Sequence, residues 1–205
     1  MNSKKKLLKF TFKLLVFLMP TQLALHFWPS WAHVFGIRVD YLAPTLYLTD
    51  ILLATLVVTW IMVEGKKVYH LPFNTPHLIL GFSILAFVLL NIFASQVPQV
   101  AILKWVKVGE LALFVAFVKQ FKKLDTNDLV VPISLSLILF STIGILQFLT
   151  GGSLGGLFYF LGERTFTTAT SGISTVAIFG RQFLKAYSTF PHPNALAGYF
   201  LVSAI

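Results

Sequence analysis

Apolar runs of close to twenty residues recur along this chain, and a helix of that length crosses the roughly 30 Å hydrocarbon core of a bilayer. They fall at about 10–28, 44–63, 77–94, 100–118 and 129–149, and a sixth starts at about 195 and stops at Ile205. Hydrophobic residues make up 57% of the chain and charged residues 11%, where an average soluble domain has about 25% charged. The sequence therefore predicts an all-α, polytopic transmembrane helix bundle with five complete spans and a truncated sixth in one membrane domain. From Ala195 to Ile205 a helix would rise only about 16 Å, so the chain is expected to be the N-terminal part of a longer protein.

The net charge of +9 raises the question of nucleic acid. The cations sit at the ends of the apolar runs and not on an aromatic-rich polar face, so no nucleic acid is expected and membrane orientation explains them. On alternating connections, Lys4, Lys5, Lys6, Lys9, Lys13, Lys66, Lys67, Lys119, Lys122 and Lys123 stand against Arg38, Arg164, Arg181 and Lys185. That excess predicts a multi-pass protein with a cytoplasmic N-terminus. No cysteine is present, which excludes disulfides and thiolate metal sites. The first run lacks a small-x-small cleavage site and is read as a span kinked at Pro20.

Polar residues within the runs are few. Asp50 lies near the start of the second and is expected to reach the interface. His26 and His33 have no third ligand at suitable spacing, so no metal is expected. The surrounding stretch, with Trp28, Trp31, Arg38, Asp40 and Tyr41, has the composition of a membrane interface. Lys104, Lys107 and Glu110 are three apart and share one sector of the fourth span. Lys107 and Glu110 are spaced to pair, and this intramembrane polar stripe either fixes packing or lines a path for substrate.

Residues 151–194 are rich in Gly, Ser and Thr and are expected to form an outer loop. Its GGSLGG opening lacks the Lys-Ser or Lys-Thr of a phosphate loop and reads as a flexible exit from the membrane. ISTVAIFGRQFLKAY suggests a short hairpin turning at Gly180-Arg181, and Glu163 beside Arg164 reads as a surface pair. Asn194 is a suitable N-cap for a helix starting at Ala195, with Pro191 and Pro193 in the turn before it. The N–H groups there, with Lys185, Arg181, Arg164, His192 and Asn194 nearby, would suit a phosphate or diphosphate. The same cations also suit plain interfacial anchoring, and spacing alone does not choose between the two.

LGERTF followed by LKAYSTFPHPNALAGYF resembles the O-antigen ligase and O-antigen polymerase family of bacterial membrane proteins, and GIRVDYLAPTLYLTDILL is similar to their opening segment. The likeness lies in a basic residue (Lys185), then Thr189-Phe190, then Pro193-Asn194 before Ala197-Gly198-Tyr199. It implies transfer of glycan from an undecaprenyl-diphosphate carrier to a lipid or glycan acceptor, at the outer face of the bacterial inner membrane, with neither a metal nor another cofactor. Lys185 stands where the family has an Arg; it keeps the charge but lacks the planar fork that grips a diphosphate. The family's further helices and the His expected to act as base lie beyond this sequence, so no catalytic residue is assigned. A non-enzymatic transporter or flippase component using the Lys104, Lys107, Glu110 stripe is the alternative.

Overall fold

The computed structural model describes residues 3–65 and 75–204. The connection carrying Lys66 and Lys67 lies outside the described residues, as does Ile205. The chain is mostly helical, with small two-stranded sheets among the described residues, and it divides into two units. One helix among the described residues, α5 (Thr126–Thr150), is long and apolar enough to cross a membrane. The expected all-α bundle of five complete spans is therefore corrected.

The physical reasons differ from run to run. The first run gives α1 (Ser3–Phe17), whose fifteen residues rise only about 22 Å, followed by turns and strand β1 (Ala24–His26). Pro20 lies beyond the helix, so it is not a kink. The second run opens as strand β4 (Thr45–Tyr47), paired with β1, and leaves α2 (Leu48–Glu64) about 26 Å of rise. Asp50 accepts the Tyr47 N–H at 2.8 Å, which satisfies a donor at the start of α2. α3 (Thr75–Ala94) has twenty residues, about 30 Å of rise, of which Leu78–Ala94 is the apolar helix among the described residues. α4 (Pro98–Gln120) has the length, but Lys104, Lys107 and Glu110 stand in its middle, each costing about 2.5–3.5 kcal/mol in lipid on insertion scales.

In the unit comprising Met1–Leu8, Leu25–Leu46 and Leu53–Lys123, aromatic contacts hold the helices. Trp60 meets Phe117 edge-on at 5.5 Å, Phe117 stacks on Phe121, and Phe87 meets Trp105 at 5.9 Å. The Trp105 indole donates to Asn91 Oδ1 at 3.0 Å, which satisfies the ring nitrogen. Lys107 and Glu110 pair at 3.2 Å, and Lys104 is exposed. Strands β2 (His33–Val34) and β3 (Ile37–Arg38) form a hairpin with Val34 opposite Ile37. Next to it, Trp28 stacks on His26 at 5.9 Å, meets His33 edge-on, and has the Arg38 guanidinium 5.2 Å from its ring centre. The two histidines are thus used as ring partners of one tryptophan.

The other unit comprises Lys9–Ala24, Tyr47–Leu52 and Leu124–Ile205. α5 begins with a capping box in which the Asp125 side chain accepts the Asp128 N–H and the Asp128 carboxylate accepts the Asp125 N–H. Lys9 and Lys13 reach the buried Asp128 carboxylate at 2.7 and 2.8 Å, and Lys9 also pairs with Asp125 at 3.1 Å. α5 ends at Gly151, in the left-handed region that favours glycine. The chain returns through the hairpin of β5 (Thr175–Ile178) and β6 (Arg181–Leu184) to α6 (Pro193–Ser203). α6 packs on α5: Leu196 approaches Gly144, and Tyr199 donates to Ser136 at 2.8 Å. The two helices are antiparallel, which puts the α6 N-terminus at the same end as the 151–192 loop and opposite the Lys9–Asp128 cluster.

Replacing Asp128 with Asn is expected to destabilise this unit by about 1–2 kcal/mol, below the roughly 3–5 kcal/mol of a fully buried pair, because the lysine side chains are 18% and 44% exposed and regain water. Hydrogen bonds donated to Asp128 and then Asp125 hold the Lys9 ammonium above the ordinary lysine value of 10.5. The charged form is therefore the one favoured by folding. Its contribution is complete below pH 10.5, is lost as the pH rises through the raised value, and should shrink in Asp128→Asn. Unfolding curves in detergent at neutral and alkaline pH check both statements.

Candidate functional site

The loop end of α5 is organised by a buried polar hub that the sequence reading missed. Gln147, in the last turns of α5, is fully buried and uses all its hydrogen-bonding capacity. Its Nε2 donates to Glu163 Oε1 at 2.7 Å and to the Ser188 carbonyl at 2.8 Å. Its Oε1 accepts the Ser188 N–H at 2.6 Å and the Tyr187 N–H at 3.2 Å. Glu163 is also buried and accepts the N–H groups of Leu154 and Gly155, both at 2.7 Å.

Two expectations are corrected here. Glu163 does not form a surface pair with Arg164: the carboxylate turns inward and the guanidinium turns out. The GGSLGG run is a cradle for an internal carboxylate, held further by the Ser153 N–H to the Phe166 carbonyl at 2.9 Å. Glycine is required there because Gly155 and Gly156 have φ of 71° and 58°. The signal in the sequence was Gln147 itself, an amide near the end of an apolar run, where burial demands partners.

Residues 20–23 join the same hub. Thr189 Oγ1 donates to the Pro20 carbonyl at 2.7 Å, Thr21 Oγ1 to the Leu161 carbonyl at 2.5 Å, and the Gln22 N–H to the same carbonyl at 3.3 Å. Ser188 sits at φ 55°, and its buried Oγ has no hydrogen-bond partner among the described residues. Below it, Phe166, Leu184 and Tyr187 form the apolar core of the loop, with Ile173 against them.

Outside this hub lie the residues expected to bind phosphate. The Arg164 guanidinium is exposed and donates to the Pro191 carbonyl at 3.5 Å. His192 is the N-cap of α6, where its Nδ1 accepts the Asn194 N–H at 3.2 Å. The cap is therefore His192, not Asn194, and the helix starts at Pro193 with proline in the first turn, where its missing N–H costs least. With Nδ1 accepting, Nε2 carries the proton and faces Ser174 Oγ at 3.4 Å. Ser174 is the meeting point of the cluster: its N–H donates to Tyr187 Oη at 2.8 Å, and its carbonyl accepts the Lys185 N–H at 3.1 Å.

The Arg164 guanidinium and the His192 ring thus meet around Pro191-His192, and the main chains of Lys185 and Asn194 adjoin them through Ser174 and His192; all four residues are exposed. Arg181 does not join them. It pairs with Ile178 at the hairpin tip, three pairs from Leu184–Thr175 and about 10 Å along the strand. The turn is Phe179-Gly180, one residue earlier than expected, with φ of 49° and 75°. The expected free N–H groups of the α6 N-terminus are also corrected. Pro193 has none, Asn194 gives its N–H to His192 Nδ1, and Ala195 gives its own to the His192 carbonyl at 3.0 Å. Attraction for an anion here rests on the side chains and the helix dipole. Among the described residues no group of three His, Asp or Glu could hold a metal ion.

A family model described as a family of unknown function, DUF5935, matches residues 38–180. The matched region includes α5, Gln147, Glu163 and Arg164 and ends at the tip of the β5–β6 hairpin. No curated protein and no solved structure matches the chain.

Proposed function

This chain belongs to the DUF5935 family of unknown function, and we propose that its site holds the phosphates of a lipid-linked glycan donor. The donor class is a polyprenyl diphosphate of the undecaprenyl type. α5 would cross a bacterial inner membrane, with the 151–192 loop on the outer face. The protein would serve glycan transfer to a lipid or glycan acceptor.

The observation that carries this reading is the opposite orientation of two neighbours in sequence. Glu163 is taken inward by Gln147, Leu154 and Gly155, which leaves the Arg164 guanidinium exposed without its neighbouring carboxylate, beside Pro191-His192 and in a loop where Lys185 is also exposed. The remaining side chains are donors and cations of the kind that neutralise a diphosphate leaving group. The alternative of transport used the Lys104, Lys107, Glu110 stripe, and two members of that stripe pair with each other.

The test is binding of undecaprenyl diphosphate to the chain reconstituted in vesicles. Arg164→Ala and Lys185→Ala are each expected to weaken it about tenfold, the equivalent of one charge-assisted hydrogen bond of about 1.5 kcal/mol. Arg181→Ala should change it less than about twofold, because exposed charges about a Debye length away are largely screened. Unchanged binding in the first two variants would overturn the assignment.

A further inference from the structure

Two hairpins end in the same dipeptide in the same backbone geometry. Phe35-Gly36 has φ of 50° and 78°, and Phe179-Gly180 has 49° and 75°. Each closes a two-residue turn, between Val34 and Ile37 in one case and Ile178 and Arg181 in the other. Both central residues are left-handed, the arrangement in which Asn, Asp or Gly is favoured at the first position. Phenylalanine there is a poor choice for the turn, and it is also a poor choice for water. Phe35 is 100% exposed and Phe179 102%, so neither ring covers anything in the protein.

We propose that the two Phe-Gly tips are lipid anchors, each placing its ring at the boundary between headgroups and acyl chains. Aromatic rings beside cations suit that boundary, where the ring leaves water and the cation meets headgroup phosphate. Arg181 follows the second tip directly, and Ile178 beside it is part-exposed. The first tip is flanked by exposed Val34 and Ile37, with Arg38 next in sequence and lying over Trp28.

A lipid surface fits better than a protein partner. A two-residue tip is a narrow convex point, whereas a stable protein interface needs about 800 Å² from each side. The β5–β6 hairpin is rooted where an interface would lie if α5 crosses the bilayer. Phe183 stacks on Phe148 at the end of α5, with centroids 5.5 Å apart. The short 3₁₀ segment after α5, Gly156–Leu161, exposes Leu157, Tyr159 and Phe160 at the same end. The inference rests on the reading of α5 as a span, and the experiment keeps the two separable.

The chain has no cysteine, so Phe35→Cys, Phe179→Cys and Ile138→Cys each provide a single thiol for a nitroxide label. All three side chains are exposed, and labelling them leaves the packing intact. The labelled full chain is reconstituted in vesicles of phosphatidylethanolamine and phosphatidylglycerol, and collision rates with oxygen and with a water-soluble nickel chelate are compared. Labels at 35 and 179 are expected to show a several-fold excess of oxygen over chelate collisions, and the label at 138, on α5, a larger one. If 138 is in lipid while 35 and 179 meet the chelate as freely as in water, the anchors are overturned and the span stands. If 138 is also in water, both fall. Shielding of the tips from both reagents that grows with protein-to-lipid ratio would mean a protein contact and would also overturn the proposal.

Discussion

Gln147→Leu is expected to destabilise the unit built on α5 by about 4–6 kcal/mol, although leucine is apolar, similar in volume and suited to a helix. The side chain it replaces makes four hydrogen bonds in a fully buried position. After the change, the Tyr187 and Ser188 N–H groups lose their acceptor, and the Ser188 carbonyl and the Glu163 carboxylate each lose a donor. An orphaned buried polar group costs about 1–3 kcal/mol and a charged one more. Unfolding in detergent micelles measures the loss, and limited proteolysis should show the 151–192 loop opening first. Gln182→Leu, on the exposed face of β6, should stay within about 0.5 kcal/mol. A Gln147→Leu effect below about 1 kcal/mol, less than a single orphaned group, would mean that the hub does not hold the loop.

Gly162→Ala should have the second largest effect, about 3–5 kcal/mol, from two causes acting together. Gly162 has φ of 86°, which alone costs an alanine about 1–2 kcal/mol. Its added methyl would also overlap the backbone of Gln22 and Leu23, and a main chain held by hydrogen bonds at Thr21 and Gln22 has little room to give. Gly180→Ala separates the two causes. Its φ of 75° is similar and its surroundings are open, so it should lose only the conformational part, about 1–2 kcal/mol. Equal melting temperatures for the two variants would show that the contact between residues 162 and 22–23 contributes nothing.

The two variants fall on features that differ in how locally they are specified. The apolar pattern predicts α5 at about 129–149 and the helix forms at Thr126–Thr150, because its limits are local: an acidic capping box at one end, a left-handed glycine at the other, and apolar residues between. The first run shows the opposite case. It is apolar as far as Trp28, yet α1 ends at Phe17, three residues before Pro20, and residues 20–22 beyond it bond to Leu161 and Thr189, some 140 to 170 positions away. Those acceptors and donors have no signature near residue 20. Glu163 differs from its sequence expectation for a related reason: next to Arg164 it resembles an ion pair, and only the folded loop brings Leu154, Gly155 and Gln147 to it.

The candidate site was partly legible. The sequence names Arg164, Lys185, His192 and Asn194 as cations and polar groups before a helix; the structure sets the Arg164 guanidinium at Pro191 and the His192 ring at Ser174, with Lys185 and Asn194 adjoining through their main chains. Proximity in sequence groups Arg181 with them, and the antiparallel register carries it to the hairpin tip, opposite Ile178. Asn194 was assigned the cap because asparagine leads the N-cap preference. His192 takes it because Pro193 already has the fixed φ of a first helical residue.

By itself, then, the amino-acid order determined what depends on neighbours: the apolar length of α5, its caps, the positive charge of the chain and the β5–β6 hairpin. The tertiary structure alone decided which apolar runs stay helical, which carboxylate is turned inward and which cation leaves the cluster. Each of those outcomes depends on where a backbone donor or acceptor finds its partner. In this chain the partners that matter come from distant positions, brought close only when α1, α5 and the 151–192 loop are packed together.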